Sequence, residues 1–284
     1  MSLPSVFTTL LPVLAPVAAG YAVARWLGLS AKPLTVVLRY VLFPALLFTS
    51  LQDRMPFYVF LLVAATGAVM TLAGLALAGS AHRFLKPHVD RSAAVLNIAC
   101  FAAPVLALGW ATNGLGSACA LFVGVALTWF MIESRHDPMA LLREPWVYAV
   151  AAALVFQAGR ISAPWLDSMV KPLSLASYPV LLLFLGASMH PWVSMRDSNA
   201  WATVGIRLLT GLGIALLAVA VLPFSGGVGQ GLILASLAPP ATRAMTLGAV
   251  AEDSARAQSA AALGAFVSLV AMATLLLTGW KPWA

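Results

Sequence analysis

Ala235-Ser-Leu-Ala-Pro-Pro-Ala-Thr-Arg243 and Asn97-Ile-Ala-Cys-Phe-Ala-Ala-Pro104 are the stretches whose reading decides the fold. Each interrupts a long apolar run with proline and polar residues, and one lies in each half of the chain. A break in an apolar helix frees backbone N–H and C=O groups that hydrocarbon cannot satisfy. Such a break survives only where it is buried in protein or lines a cavity. Interrupted apolar segments at corresponding places in two halves point to the binding site of a secondary transporter.

Composition agrees. Hydrophobic residues make up 62% of the 284-residue chain and charged residues 9%, with a mean hydropathy of +0.95. A soluble domain carries about 25% charged residues, so the sequence implies an all-α polytopic membrane protein. The pI of about 9.9 does not indicate nucleic-acid binding. The basic residues are scattered over short loops, with no cluster interleaved with aromatics. Cys100 and Cys119 both fall in apolar stretches and read as small buried hydrophobes rather than a disulfide. The segment Met1–Phe7 lacks the basic start of a cleaved signal peptide.

A spanning helix needs about 20 mainly apolar residues. Spans are expected at Val6–Trp26, Pro33–Leu51, Phe57–Ala78, Ala93–Trp110 and Leu115–Ile132, then at Pro145–Ile161, Leu166–Met189, Trp201–Leu222, Gly229–Val250 and Ala255–Gly279. This gives a first five-helix unit over 1–132, a connecting loop over 133–144 and a second unit over 145–284. Orientation follows from basic loop residues. Arg25, Lys32, Arg83, Lys86, Arg91, Arg135, Arg143, Arg196 and Arg256 follow odd-numbered spans, nine in all, against four (Arg54, Arg160, Lys171 and Lys281) on the other side. The odd loops are therefore assigned to the cytoplasm and both termini to the opposite side.

Five spans per unit make the second unit inverted relative to the first. Local echoes agree: Lys32-Pro-Leu-Thr35 with Lys171-Pro-Leu-Ser174, Met55-Pro-Phe57 with His190-Pro-Trp192, and Pro104 with Pro240. Their offsets are 139, 135 and 136 residues. The fourth and ninth spans are expected to be broken at these prolines.

These residues resemble the auxin efflux carrier family, within the wider superfamily of the sodium–bile acid symporters. The resemblance covers nearly the whole chain. Gly20-Tyr21 and Arg25-Trp-Leu-Gly28 are similar to the family's opening helix, and Phe43-Pro-Ala-Leu-Leu-Phe48 to its second-span core. Asn97 through Pro104 resembles its fourth-span N-x-G-F-x-G-x-P pattern, with Ala and Cys in place of glycines. Tyr178-Pro179-Val180 through Gly186-Ala-Ser-Met189 resembles the seventh span. Ala238-Pro239-Pro240 through Glu252-Asp253 resembles the ninth, with Arg243 where the family often has Asn. The resemblance implies ten helices in two inverted five-helix repeats, with helices 4 and 9 crossing where they unwind. It further implies a permease of a bacterial inner membrane that moves small organic anions by alternating access, and a homodimer.

Arg243 is the most informative candidate. A charge inside a span costs about 2.5 kcal/mol or more on insertion scales. If Pro240 opens a half-helix, Arg243 sits in its first turn, where N–H groups face an incoming anion, and guanidinium binds carboxylate bidentately. Its alternatives are snorkelling or pairing with Glu252 or Asp253. Asn97 offers donors and an acceptor in an apolar span, for substrate, for the freed backbone, or for a helix–helix bond. Pro104, Pro239 and Pro240 mark the breaks, and Ser236 and Thr242 are placed to bond freed carbonyls or substrate. Arg39 and Arg207, near predicted cytoplasmic ends, read as snorkelling to the interface. Gln157 is a candidate cavity residue.

Other chemistry is not signalled. The four histidines lie in loops without metal-ligand spacing, no nucleophile elbow is present, and no cofactor is implied. None of the nine Asp and Glu residues falls at a span centre, which weakens proton or sodium coupling without settling it. An intramembrane enzyme would need a catalytic pair at membrane depth, and a sensor would need a soluble domain larger than any loop here. A carrier for carboxylates is the leading expectation, ahead of a sodium-coupled symporter of the bile-acid type or a channel.

Overall fold

The computed structural model describes residues 3–28, 32–52, 55–84, 96–110, 114–133, 138–190, 197–224, 226–241 and 255–277. Within them lie ten helical segments: α1 (Leu3–Leu27), α2 (32–52), α3 (Phe57–Phe84), α4 (98–110), α5 (Leu115–Glu133), α6 (Pro145–Gly159), α7 (Pro164–Ser188), α8 (Ser198–Val221), α9 (Gly226–Ser236) and α10 (Ala255–Leu277). They coincide with the ten expected spans to within a few residues, apart from α4 and α9, whose described parts are shorter. Among the described residues, five stretches are long and apolar enough to cross a membrane: Leu34–Gln52, Phe57–Ala81, Leu115–Ile132, Pro164–Ser188 and Ser198–Val221. Leu209 on α8 is 76% exposed, and Leu217, Val221, Leu61 and Leu72 also face outward. Such outward apolar surface suits lipid rather than water.

The helix ends follow from local chemistry. Gly28, at φ +60°, takes the left-handed position that stops α1. Pro145 and Pro164 open α6 and α7, where a missing N–H costs nothing. Asp197 caps α8 by accepting from the Asn199 N–H at 2.9 Å. Two prolines inside helices, Pro44 and Pro104, follow a widened turn. In α2 the π-helical stretch Leu38–Leu42 precedes Pro44, and the Phe43 N–H reaches back to Leu38 O. In α4 the stretch Ile98–Ala102 precedes Pro104, and the Ala103 N–H reaches Ile98 O. Bonding five residues back relieves the clash of each proline ring with the preceding turn.

Packing centres on α4, α5 and α9. Residues 98–106 of α4 are all buried, so α4 is enclosed by protein. Around this centre α1 packs on α7, α2 on α6 and α7, α3 on α5 and α8, and α8 on α10. Phe43 of α2 meets Phe122 of α5 edge-on at 4.7 Å, and Phe122 meets Trp146 of α6 at 5.6 Å, a geometry aromatic rings favour. The closest approaches are made by glycine. A side-chain carbon at Gly20 would collide with the Leu183 carbonyl, and one at Gly186 with the Val17 carbonyl, so α1 and α7 touch backbone to backbone. Small residues permit such contact between membrane helices.

Arg39 departs from the snorkelling expectation. Its Nε donates to Glu144 Oε2 at 3.2 Å and its Nη2 to Oε1. The Glu144 side chain is 3% exposed and that of Arg39 25%. The physical reason is the buried carboxylate at the start of α6, which binds the guanidinium through two parallel hydrogen bonds. Cys100 and Cys119 are buried and not joined in a disulfide, as expected.

Candidate functional site

Helix α9 ends at Ser236 because the chain then meets Pro239 and Pro240, which have no N–H to continue it. The last turn is closed by the Leu237 N–H on Leu234 O at 3.2 Å and the Ala238 N–H on Ala235 O at 3.1 Å. The Ser236 hydroxyl donates to Ile233 O at 2.7 Å. The Ser236 carbonyl accepts from Arg207 Nη2 at 3.1 Å. All four carbonyls that end this helix, normally orphaned, therefore have donors.

The other interruption lies directly opposite. The Asn97 N–H donates to Pro239 O at 2.9 Å, and Leu96 forms an isolated antiparallel bridge with Pro240. The two segments singled out in the sequence thus meet backbone to backbone. Asn97 is 1% exposed and Ser236 0%, and Pro239 and Pro240 are buried. Asn97 caps α4, its Oδ1 accepting from the Cys100 N–H at 3.2 Å. Gly264 of α10 faces the proline pair, where an added carbon would lie 2.6 Å from Pro240 Cδ.

Pro104 requires a correction. The fourth span is not interrupted there, since Pro104 sits inside the continuous helical run 98–110. The π-helical stretch Ile98–Ala102 absorbs the proline, and α4 begins after Asn97. Thr242 and Arg243 lie outside the described residues.

Arg207 is the residue the sequence reading missed. It was assigned to the interface, yet it is 2% exposed. Helix α8 starts at Ser198, so Arg207 is about 13 Å along it at 1.5 Å per residue. Its guanidinium lies over Gly211, one turn on, where an added side-chain carbon would meet Nη1. The available signal was the pair Arg207 and Gly211 at helical spacing on an apolar span.

A second polar feature went unread. A cavity of about 180 Å³ opens between α2, α5 and α7, with Thr49, Ser50, Gln52, Asp167, Lys171 and Ser174 in its lining. The Thr49 and Ser174 hydroxyls bond each other at 2.7 Å, and the buried Ser50 hydroxyl has no partner among the described residues. Gln157 is not in this lining; it donates to the Met55 carbonyl and ties α6 to the segment before α3. Among the described residues no group of three His, Cys, Asp or Glu is placed to hold a metal.

Asn97→Ala removes a helix cap and is expected to lower stability by about 1 kcal/mol. Asn97→Ser, which keeps an acceptor, should restore most of it. Thermal unfolding in detergent measures both, and equal melting temperatures for the two variants would contradict the capping role. No protein-family model matches the chain, and no curated protein matches it.

Proposed function

We propose that this protein is a secondary transporter of small organic anions, most simply carboxylates. In this reading the substrate binds where α4 and α9 meet and is exposed to each side of the membrane in turn. The observation that carries the reading is the meeting of the start of α4 with the proline-terminated end of α9, Asn97 N–H to Pro239 O, in fully buried surroundings. Irregular backbone at membrane depth is kept where helices must unwind around a solute. Asn97, Pro104, Ser236, Pro239, Pro240, Thr242 and Arg243 form the proposed site. Membership of the auxin efflux carrier family, a homodimer and an inner-membrane location belong to the same proposal.

The crossing inverted repeat is also part of it. Its support is the repeated pattern of packing: α1 lies on α7 as α6 lies on α2, and α3 lies on α5 as α8 lies on α10. Exchanging the two five-helix units maps each of these helix pairs onto the other.

The test is uptake into proteoliposomes. Carboxylate flux should saturate with substrate concentration, and a rate that stays linear over a wide range would identify a channel. Both termini are expected on the non-cytoplasmic side, following the nine-to-four bias of basic loop residues. Protease removal of terminal tags from intact cells measures this. Protection of both tags would overturn the assigned orientation.

A further inference from the structure

Among the described residues Arg207 is a buried cation with no anion beside it. Its Nη2 holds the Ser236 carbonyl at 3.1 Å, and its Nε, also buried, has no acceptor among them. The one ion pair among the described residues is Arg39–Glu144, so no described carboxylate neutralises Arg207. Guanidinium stripped of water is costly unless it is paired and fully hydrogen-bonded. The charge sits favourably at the carbonyl end of α9, which offsets part of that cost and leaves a donor unspent. Gly211 supplies the space in which the guanidinium lies.

We propose that Arg207 is a fixed positive charge that receives a carboxylate of the transported anion. The Ser236 carbonyl aims the guanidinium, and the Nε-bearing edge completes its hydrogen bonding on the substrate. This rests on the anion-carrier reading and deepens it. It assigns recognition to α8, a helix outside the two interrupted segments, and so couples substrate occupancy to the capped end of α9. Arg207 also explains how a binding charge can be held at this depth with no acidic partner among the described residues: the Ser236 carbonyl at the end of α9 stabilises it while the site is empty.

The test uses the full-length protein in detergent, titrated with succinate, pyruvate and benzoate, with succinamide as the uncharged control. Affinity and melting temperature are read separately. Arg207→Gln keeps a donor for Ser236 but loses the charge, and should weaken carboxylate binding by about 30-fold or more. Arg207→Lys should recover only part, since ammonium has no planar fork. Gly211→Ala keeps the arginine but displaces it, and should weaken binding by at least about tenfold; it serves as the probe if the Arg207 variants do not fold. A purely structural cap would lower the melting temperature in all three and leave affinity unchanged, which would overturn the proposal. Carboxylate binding that is lost in Arg243→Ala yet intact in Arg207→Gln and Gly211→Ala would also overturn it, while sustaining the anion-carrier reading. If none of the carboxylates binds the parent protein, both fall.

Discussion

Replacement of Arg243 by alanine is expected to reduce anion affinity by roughly 30- to several-thousand-fold. Loss of one partner of a buried charge-assisted pair costs about 2–5 kcal/mol, and each 1.4 kcal/mol is about tenfold in affinity. Arg243→Lys should not restore binding, because a point charge cannot replace the bidentate fork. The residue follows Pro240 by three positions, on the chain that leaves the described meeting point with Leu96. Calorimetric titration of purified protein with a bound carboxylate measures the effect. A folded Arg243→Ala protein with parental affinity would remove Arg243 from the site and leave Arg207 as the remaining basic candidate.

The second large effect is on the fold itself. Gly186→Ala should unfold or severely destabilise the protein. The added methyl would enter the Val17 carbonyl of α1 and leave the Tyr21 nitrogen only 3.0 Å away. Backbone atoms cannot rotate aside as side chains do, so α1 and α7 must separate along their contact. Overpacking typically costs about 1–3 kcal/mol where side chains can adjust, and this site should exceed that range. Gly213→Ala is the control. It has nothing within 4 Å of the new carbon, and the higher helix propensity of alanine is worth up to about 1 kcal/mol. Melting temperatures should fall steeply for Gly186→Ala and hold or rise for Gly213→Ala. Equal falls would show that α1 and α7 do not touch as described.

Much of the architecture is local information. A helix in an apolar solvent must satisfy its own backbone, so every spanning segment has to be long, apolar and helical. Hydropathy therefore located the helices to within a few residues. The prolines at 239 and 240 were equally legible, because the absence of an N–H acts on the residue that carries it. Pro104 was misread for a related reason. A proline disfavours a continuous helix, but the turn before it can widen to accept it, as Ile98–Ala102 does, and that depends on neighbouring packing. The enclosed residues 98–106 hold α4 together around Pro104.

The site was only half legible. Asn97, Ser236 and the proline pair were found because polar residues are conspicuous in apolar runs. What each of them bonds was not. The donor that finishes α9 is an arginine 29 residues away in sequence, and its acceptor is a backbone carbonyl that no residue type announces. Arg207 and Arg39 look alike as letters near span ends. One reaches a freed carbonyl and the other the buried carboxylate of Glu144, 105 positions on. The sequence by itself determined that the chain is a set of apolar helices with two interruptions. Tertiary structure alone decided which backbone groups of these segments meet, that glycines let α1 and α7 touch, and that a buried cation caps the end of α9. Helix formation is settled by bonds four residues apart, whereas the partners of freed polar groups are settled by where distant helices pack.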